Sequence, residues 1–138
     1  MSWGVVLTCG ALDVSELQKK TQADILVQVD ADFRMVEGER VLFAEDAFPV
    51  VELARSLLGW DREEDFSFNS MSYEEIGSVR ITREEAGWVF GSVFEPGVVS
   101  RPVPWSEVEA CVTSFVEKVR LGLVAVGLDP ELAFASQG

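Results

Sequence analysis

The stretch DFSFNSMSYEEIGSVRITREEAGWVFGSVF, residues 65–94, decides how the rest of the chain is read. Phe66 and Phe68 alternate with Ser67 and Asn69, the period of a strand with one apolar face. Residues 76–82 and 88–94 are two further β-prone runs. The polar Arg83-Glu84-Glu85-Ala86-Gly87 between them ends in glycine, which predicts a hairpin with a four- or five-residue loop. Loop length sets the faces, because a slip of one residue exchanges them. A five-residue loop sets Thr82 against Trp88 and Arg80 against Phe90. Trp88, Phe90 and Phe94 then share an open face with Ser78, Arg80 and Thr82, a surface for a ligand. A four-residue loop sets Arg83 against Trp88 and Ile81 against Phe90, and the three aromatics join Val79 and Ile81 in the core. Each buried ring is worth about 2–3 kcal/mol, so the four-residue loop is the favoured reading.

Beyond this stretch, Glu95-Pro96-Gly97 is a turn and residues 98–103 a last strand, which Pro102 confines to an edge. Residues 104–126 predict the longest helix. Trp105, Val108, Val112, Phe115, Val116 and Val119 recur three and four apart, proline stands first, and acids precede bases along the dipole. Gly127 ends it, Pro130 forbids continuation, residues 131–134 make one more turn, and 135–138 form a frayed end. Before the stretch, residues 61–65 are a charged loop. Residues 45–58 predict a helix capped by Asp46, with Pro49 in its first turn and an apolar stripe of Phe48, Val50, Val51, Ala54, Leu57 and Leu58. Gly59 suits the left-handed stop, and Trp60 packs back.

Further toward the N-terminus, Ile25, Val27, Val29, Ala31 and Phe33 alternate with polar residues, which predicts a strand over 24–33 with Asp30 and Asp32 on its outer face. Glu37-Gly38 is the turn to a partner strand at 40–43. Residues 13–17 suit one helical turn, and 3–9 an edge strand or tucked-in terminus. The whole is α+β: an antiparallel meander with two amphipathic helices on one face, a two-layer sandwich. The 138 residues form a single domain, with 1–23 its least defined segment.

The composition narrows function by exclusion. Twenty-four acids against 11 bases give a net charge of −13, which argues against nucleic acid and against an anionic membrane surface, and favours a basic protein partner. The same charge also serves solubility. No apolar run reaches the roughly 18 residues of a membrane span, and no basic region precedes an apolar one at the N-terminus, so a cytoplasmic location is expected. Cys9 and Cys111 are far apart and predict no disulfide; Cys111 falls on a helix's apolar side as a buried thiol. The chain has no histidine, which removes His-based triads and the commonest zinc sites, and no phosphate-binding glycine loop. The acid pairs Asp30/Asp32, Glu63/Glu64, Glu74/Glu75 and Glu84/Glu85 read as solvated. No catalytic, cofactor-binding or metal-ligating residue is assigned, and no cofactor is expected.

The candidate site is therefore a partner surface: Asp30, Asp32, Asp61, Glu63, Glu64, Asp65, Glu74 and Glu75, with Tyr73 as anchor. Tyrosine is enriched at interface centres, and a nearby carboxylate takes an arginine. The run Phe66-x-Phe68-x-Ser70-Met71-x-Tyr73-Glu74-Glu75, followed by Gly87-Trp88, resembles a small uncharacterised actinobacterial domain family. The general form is similar to immunity proteins of bacterial polymorphic toxin systems. The resemblance spans 33–126, with the first 23 residues outside it, and implies an inhibitor that caps a basic toxin or nuclease domain; it carries no catalytic residues. The alternative reading is a small-molecule or regulatory module using the open sheet face, which also offers a surface for a homodimer.

Overall fold

The computed structural model describes residues 4–135. It begins with β1 (Val5–Cys9), whose Val5, Leu7 and Cys9 are buried while Val6 is exposed. Trp3, assigned to the same run, lies outside the described residues. β1 pairs antiparallel with β2 (Ala31–Glu37), and β2 with β3 (Arg40–Phe48), giving a first sheet with β1 at its edge. The β2–β3 turn falls at Gly38, as the sequence predicts. Glu37 faces Arg40, and the turn needs the left-handed backbone that Gly38 adopts, φ 61°.

Between β1 and β2 the structure corrects the sequence reading twice. Residues 24–28, expected in a strand, belong to helix α1 (Gln22–Gln28). The alternation was misleading, because Ile25, Leu26 and Val29 are buried and Val27 is exposed, a helical face. The overlooked signal is Thr21, whose hydroxyl accepts the Asp24 N–H at 3.3 Å and caps the helix. Residues 13–17, expected to be helical, form a turn in which the Asp13 carboxylate accepts the Ser15 N–H at 2.8 Å. Asp13 and Asp30 also bridge through their backbones.

A third correction concerns 45–49. The strand runs on through Phe48, so the second helix, α2 (Val50–Leu58), starts five residues later than expected. Asp46 does not cap it; Pro49 stands at the N-cap. Glu45 and Phe48 of β3 span Phe33 and Ala31 of β2, leaving two residues opposite one in a bulge, with Ala47 at a positive φ of 53°. Leu58 is half exposed and leaves the stripe, and Gly59 ends α2 at φ −88° rather than left-handed.

The second sheet orders β4 (Phe66–Ser67), β5 (Arg80–Glu84) and β6 (Gly87–Gly91), all antiparallel. Arg83 faces Trp88 and Ile81 faces Phe90, the register favoured on burial grounds. Trp88 and Phe90 are buried with Val79 and Ile81. Phe94 departs from the expectation. β6 stops at Gly91, and Phe94 sits in a following turn, 42 % exposed. Residues 98–103 run beside β6 without forming a full strand: Trp88 and Val103 exchange both backbone bonds, and the Ser100 hydroxyl accepts the Phe90 N–H.

α3 (Trp105–Ala125) follows Pro104 as predicted and ends at Gly127, φ 78°. The Leu128 N–H reaches back to the Leu123 C=O at 2.8 Å and the Gly127 N–H to Val124, which closes the helix end. α4 (Pro130–Phe134) is capped by Asp129, and Gln22 and Arg55 hold the chain end through the Ala135 C=O. Residues 136–138 lie outside the described residues. The class is the expected antiparallel α+β one, with two three-stranded sheets and four helices among the described residues. One apolar core joins both sheets. Phe33 stacks on Phe48 at 4.8 Å and meets Phe115 of α3 edge-on, and Phe48 touches Phe68.

Candidate partner surface

Tyr73 is fixed by the segment that leads to it. Glu52 of α2, only 6 % exposed, accepts the Ser70 hydroxyl at 2.6 Å and the Met71 N–H at 3.0 Å, and Ser70 in turn accepts the Ser72 N–H. Burying a carboxylate is tolerable only with such donors, so the contacts pin the loop to the helix. The Tyr73 ring then lies between Phe48 at 5.7 Å and Phe94 at 6.0 Å, and Phe94 stacks on Phe43. Its hydroxyl is held above the ordinary tyrosine pKa by burial, and further by the charges of Glu45 and Asp30. It stays protonated at neutral pH, a hydrogen-bond donor in a negative field.

Asp30, whose charge acts on that hydroxyl, belongs to a group of acids assembled from distant positions. Asp13, Asp30, Asp32 and Asp46 line a hollow of about 380 Å³. Burial raises the Asp30 pKa, and Asp13, Glu16 and Asp32 raise it further. Among the described residues no three acid or thiol groups are placed to hold a metal ion. Around Tyr73, Met71 is 65 % and Ile76 57 % exposed, so the surface combines apolar side chains with acids.

Of the sequence-predicted residues, the structure sets Asp30 beside Asp32 and within reach of Tyr73, with Glu74 and Glu75 following Tyr73 in the same loop. Asp61, Glu63, Glu64 and Asp65 lie at the other end of α2, about 13 Å away along a nine-residue helix. Two of that group serve the loop itself: Asp61 accepts the Glu63 N–H and Asp65 accepts the Arg83 N–H. Glu63 and Glu64 are exposed and make no ion pair among the described residues. Beside them Trp60, Trp88 and Trp105 pack together, with Arg62 5.6 Å over the Trp105 ring and 3.7 Å from Glu109. Sequence reasoning missed Glu45 and Phe94 as neighbours of Tyr73, and Asp13 and Asp46 as companions of Asp30 and Asp32. Their adjacency comes from the bulge and the Asp13–Asp30 bridge, which leave no local signature.

Two other expectations meet the structure here. Cys9 and Cys111 are buried and unpaired with each other, and burial lifts the Cys111 thiol to about 11, with the Leu7 N–H directed at it. The open ligand face built of Trp88, Phe90 and Phe94 around Arg80 does not exist, because the first two rings point into the core and Phe94 stands against Phe43 and Tyr73.

The fold and this surface define an α+β domain whose acids and half-buried aromatics meet at one end. Residues 6–124 match the family described as Domain of unknown function (DUF7878), and the chain belongs to that family. The match takes in most of the N-terminal segment that the sequence resemblance had left outside. No curated protein and no solved structure matches the chain. Among the described residues no helix is long and apolar enough to cross a membrane.

Proposed function

We propose that the protein is a non-enzymatic binding module for a basic protein partner, and that it acts as an immunity-type inhibitor by covering a basic toxin or nuclease domain. The observation that carries the reading is Tyr73, wedged between Phe48 and Phe94 and under the charges of Glu45 and of Asp30, one of the four acids that line the hollow. A rigid aromatic beside carboxylates suits an arginine-bearing surface, since the ring supplies contact area and the acids take the guanidinium. The net charge of −13 steers such a partner in. The test uses the tagged chain co-expressed with the products of neighbouring genes. A stable, salt-sensitive complex, lost when Tyr73→Ala and Glu74→Ala are combined, is the expected result. No complex, or one indifferent to salt and to both substitutions, would refute the reading.

A second reading, a small-molecule module, loses the aromatic face it was built on and keeps one observation in its favour, on the opposite face of the hairpin. A hollow of about 600 Å³ lies over the outer face of β5 and β6, lined by Arg80, Thr82, Val89 and Ser92, with Glu84 and Glu85 among its other walls. Arg80 makes no ion pair among the described residues, so its guanidinium is available to a small carboxylate. Calorimetry with citrate and with the Arg80→Ala variant tests it; heat that persists unchanged in the variant removes the site.

A further inference from the structure

The second sheet has one edge that nothing in the described chain closes. β6 is flanked by residues 98–103. β4 is different. Phe66 stands opposite Ile81 and Phe68 gives its N–H to the Val79 C=O at 2.9 Å, so their main-chain groups face β5. By the alternation of an antiparallel strand, the N–H and C=O of Ser67 point the other way, where no strand pairs among the described residues. The edge run Phe66-Ser67-Phe68-Asn69 carries no lysine or proline, and its one shield is its shortness, two residues of regular strand.

A hollow of about 590 Å³ lies along this edge. Ser67 and Asn69 form one wall, the last turn of α2 with its half-exposed Leu58 another, and Trp60 and Phe134 add apolar area. An edge strand facing a helix across a trough takes an extended peptide as an added strand, main chain to main chain. Charge says which peptide. Asp65 lines the trough, Glu63 and Glu64 stand in the loop beside it, and the C-terminal end of α2 contributes the negative end of its dipole. Arg55 also lines the trough and keeps its charge while giving a hydrogen bond to the Ala135 C=O at 3.2 Å, so the negative side of the trough is the one toward Asp65, Glu63 and Glu64.

We infer that β4 receives an extended basic segment of a partner protein as an added strand of the second sheet, its apolar side chains against Leu58, Trp60 and Phe134 and its basic ones toward Asp65. The inference rests on the basic-partner reading above and supplies the manner of holding. The probe is an end-blocked synthetic peptide of alternating lysine and valine, about eight residues long, a strand's length. On addition, the Ser67 amide exchanges its hydrogen at least about 10-fold more slowly, as a newly bonded amide does. Ser67→Pro removes the outward N–H without touching the Phe66 and Phe68 bonds, and weakens binding about 10-fold or more, while Ser67→Ala binds like the parent. Should Ser67→Pro not fold, the exchange rate of Ser67 in the parent protein decides. Equal affinity for Ser67→Pro, no slowing at Ser67, or no binding at about 1 mM peptide overturns the inference. Salt-sensitive binding that perturbs Tyr73 and Glu74 instead overturns the edge yet leaves the basic-partner reading standing. Binding at Ser67 that salt does not weaken overturns that reading along with the basic character of the segment.

Discussion

Asp30 shows how a single carboxylate reports on its surroundings. Its pKa is raised by burial and by Asp13, Glu16 and Asp32, so the folded chain holds its proton more tightly than the unfolded chain does. Between the ordinary value of 3.8 and the raised one, the native state binds more protons, and stability falls as pH rises. Above the raised value the full penalty is present; below 3.8 it is absent. Asp30→Asn is therefore expected to be more stable than the parent at neutral pH and equal to it near pH 3, a crossing that urea titrations at several pH values will display. A bound arginine would favour the charged form and offset that penalty. Ala47 poses a simpler question. At φ 53° a side chain costs about 1–2 kcal/mol that glycine avoids, less the 0.5–1 kcal/mol glycine loses in entropy. Ala47→Gly is expected to raise stability by about 0.5–1 kcal/mol, read from the shift of the denaturation midpoint.

Among the elements, the β5–β6 hairpin depends on Gly87. Its φ is 141°, and a Cβ there would come 2.9 Å from the Val103 carbonyl oxygen, inside the bridge that ties Trp88 to residues 98–103. Gly87→Ala is expected to cost about 2–4 kcal/mol through strain and steric displacement. Gly97→Ala, with nothing within 4 Å of the added carbon, should cost far less. Equal midpoints for the two variants in thermal melts would contradict this account of the hairpin. The loop 70–75 depends in the same way on Glu52. Ser70 and Met71 give it their hydrogen bonds, and Tyr73 takes its place from that attachment. Each of these elements was legible in outline. The hairpin could be read because burying two rings outweighs any gain from exposing them, whereas the Glu52 clamp joins residues 18 and 19 positions apart and has no local pattern.

For the whole molecule, charge is the property that acts at a distance. Glu63 and Glu64 make no ion pair among the described residues, so reversing both to lysine should leave stability within about 0.5 kcal/mol. Association with a basic partner should nonetheless slow several-fold at low ionic strength, and the difference should fade as salt screens the field. Stopped-flow mixing at two salt concentrations measures it; an unchanged rate at low salt would make these acids a solvated face only. Asp65 is kept out of that variant because its carboxylate accepts the Arg83 N–H. By itself the sequence determined the α+β class, the long helix with its Gly127 stop and the turn at Gly38. Each rests on local periodicity or on a glycine whose backbone no other residue adopts cheaply. Only the tertiary structure decided which of the two hairpin registers forms, that residues 22–28 form a helix, that β3 continues to Phe48, and that Asp13, Asp30, Asp32 and Asp46 line one hollow. Short apolar runs suit strand and helix alike until a neighbour selects a face, and the acids converge through a bulge and a bridge that no stretch of sequence contains.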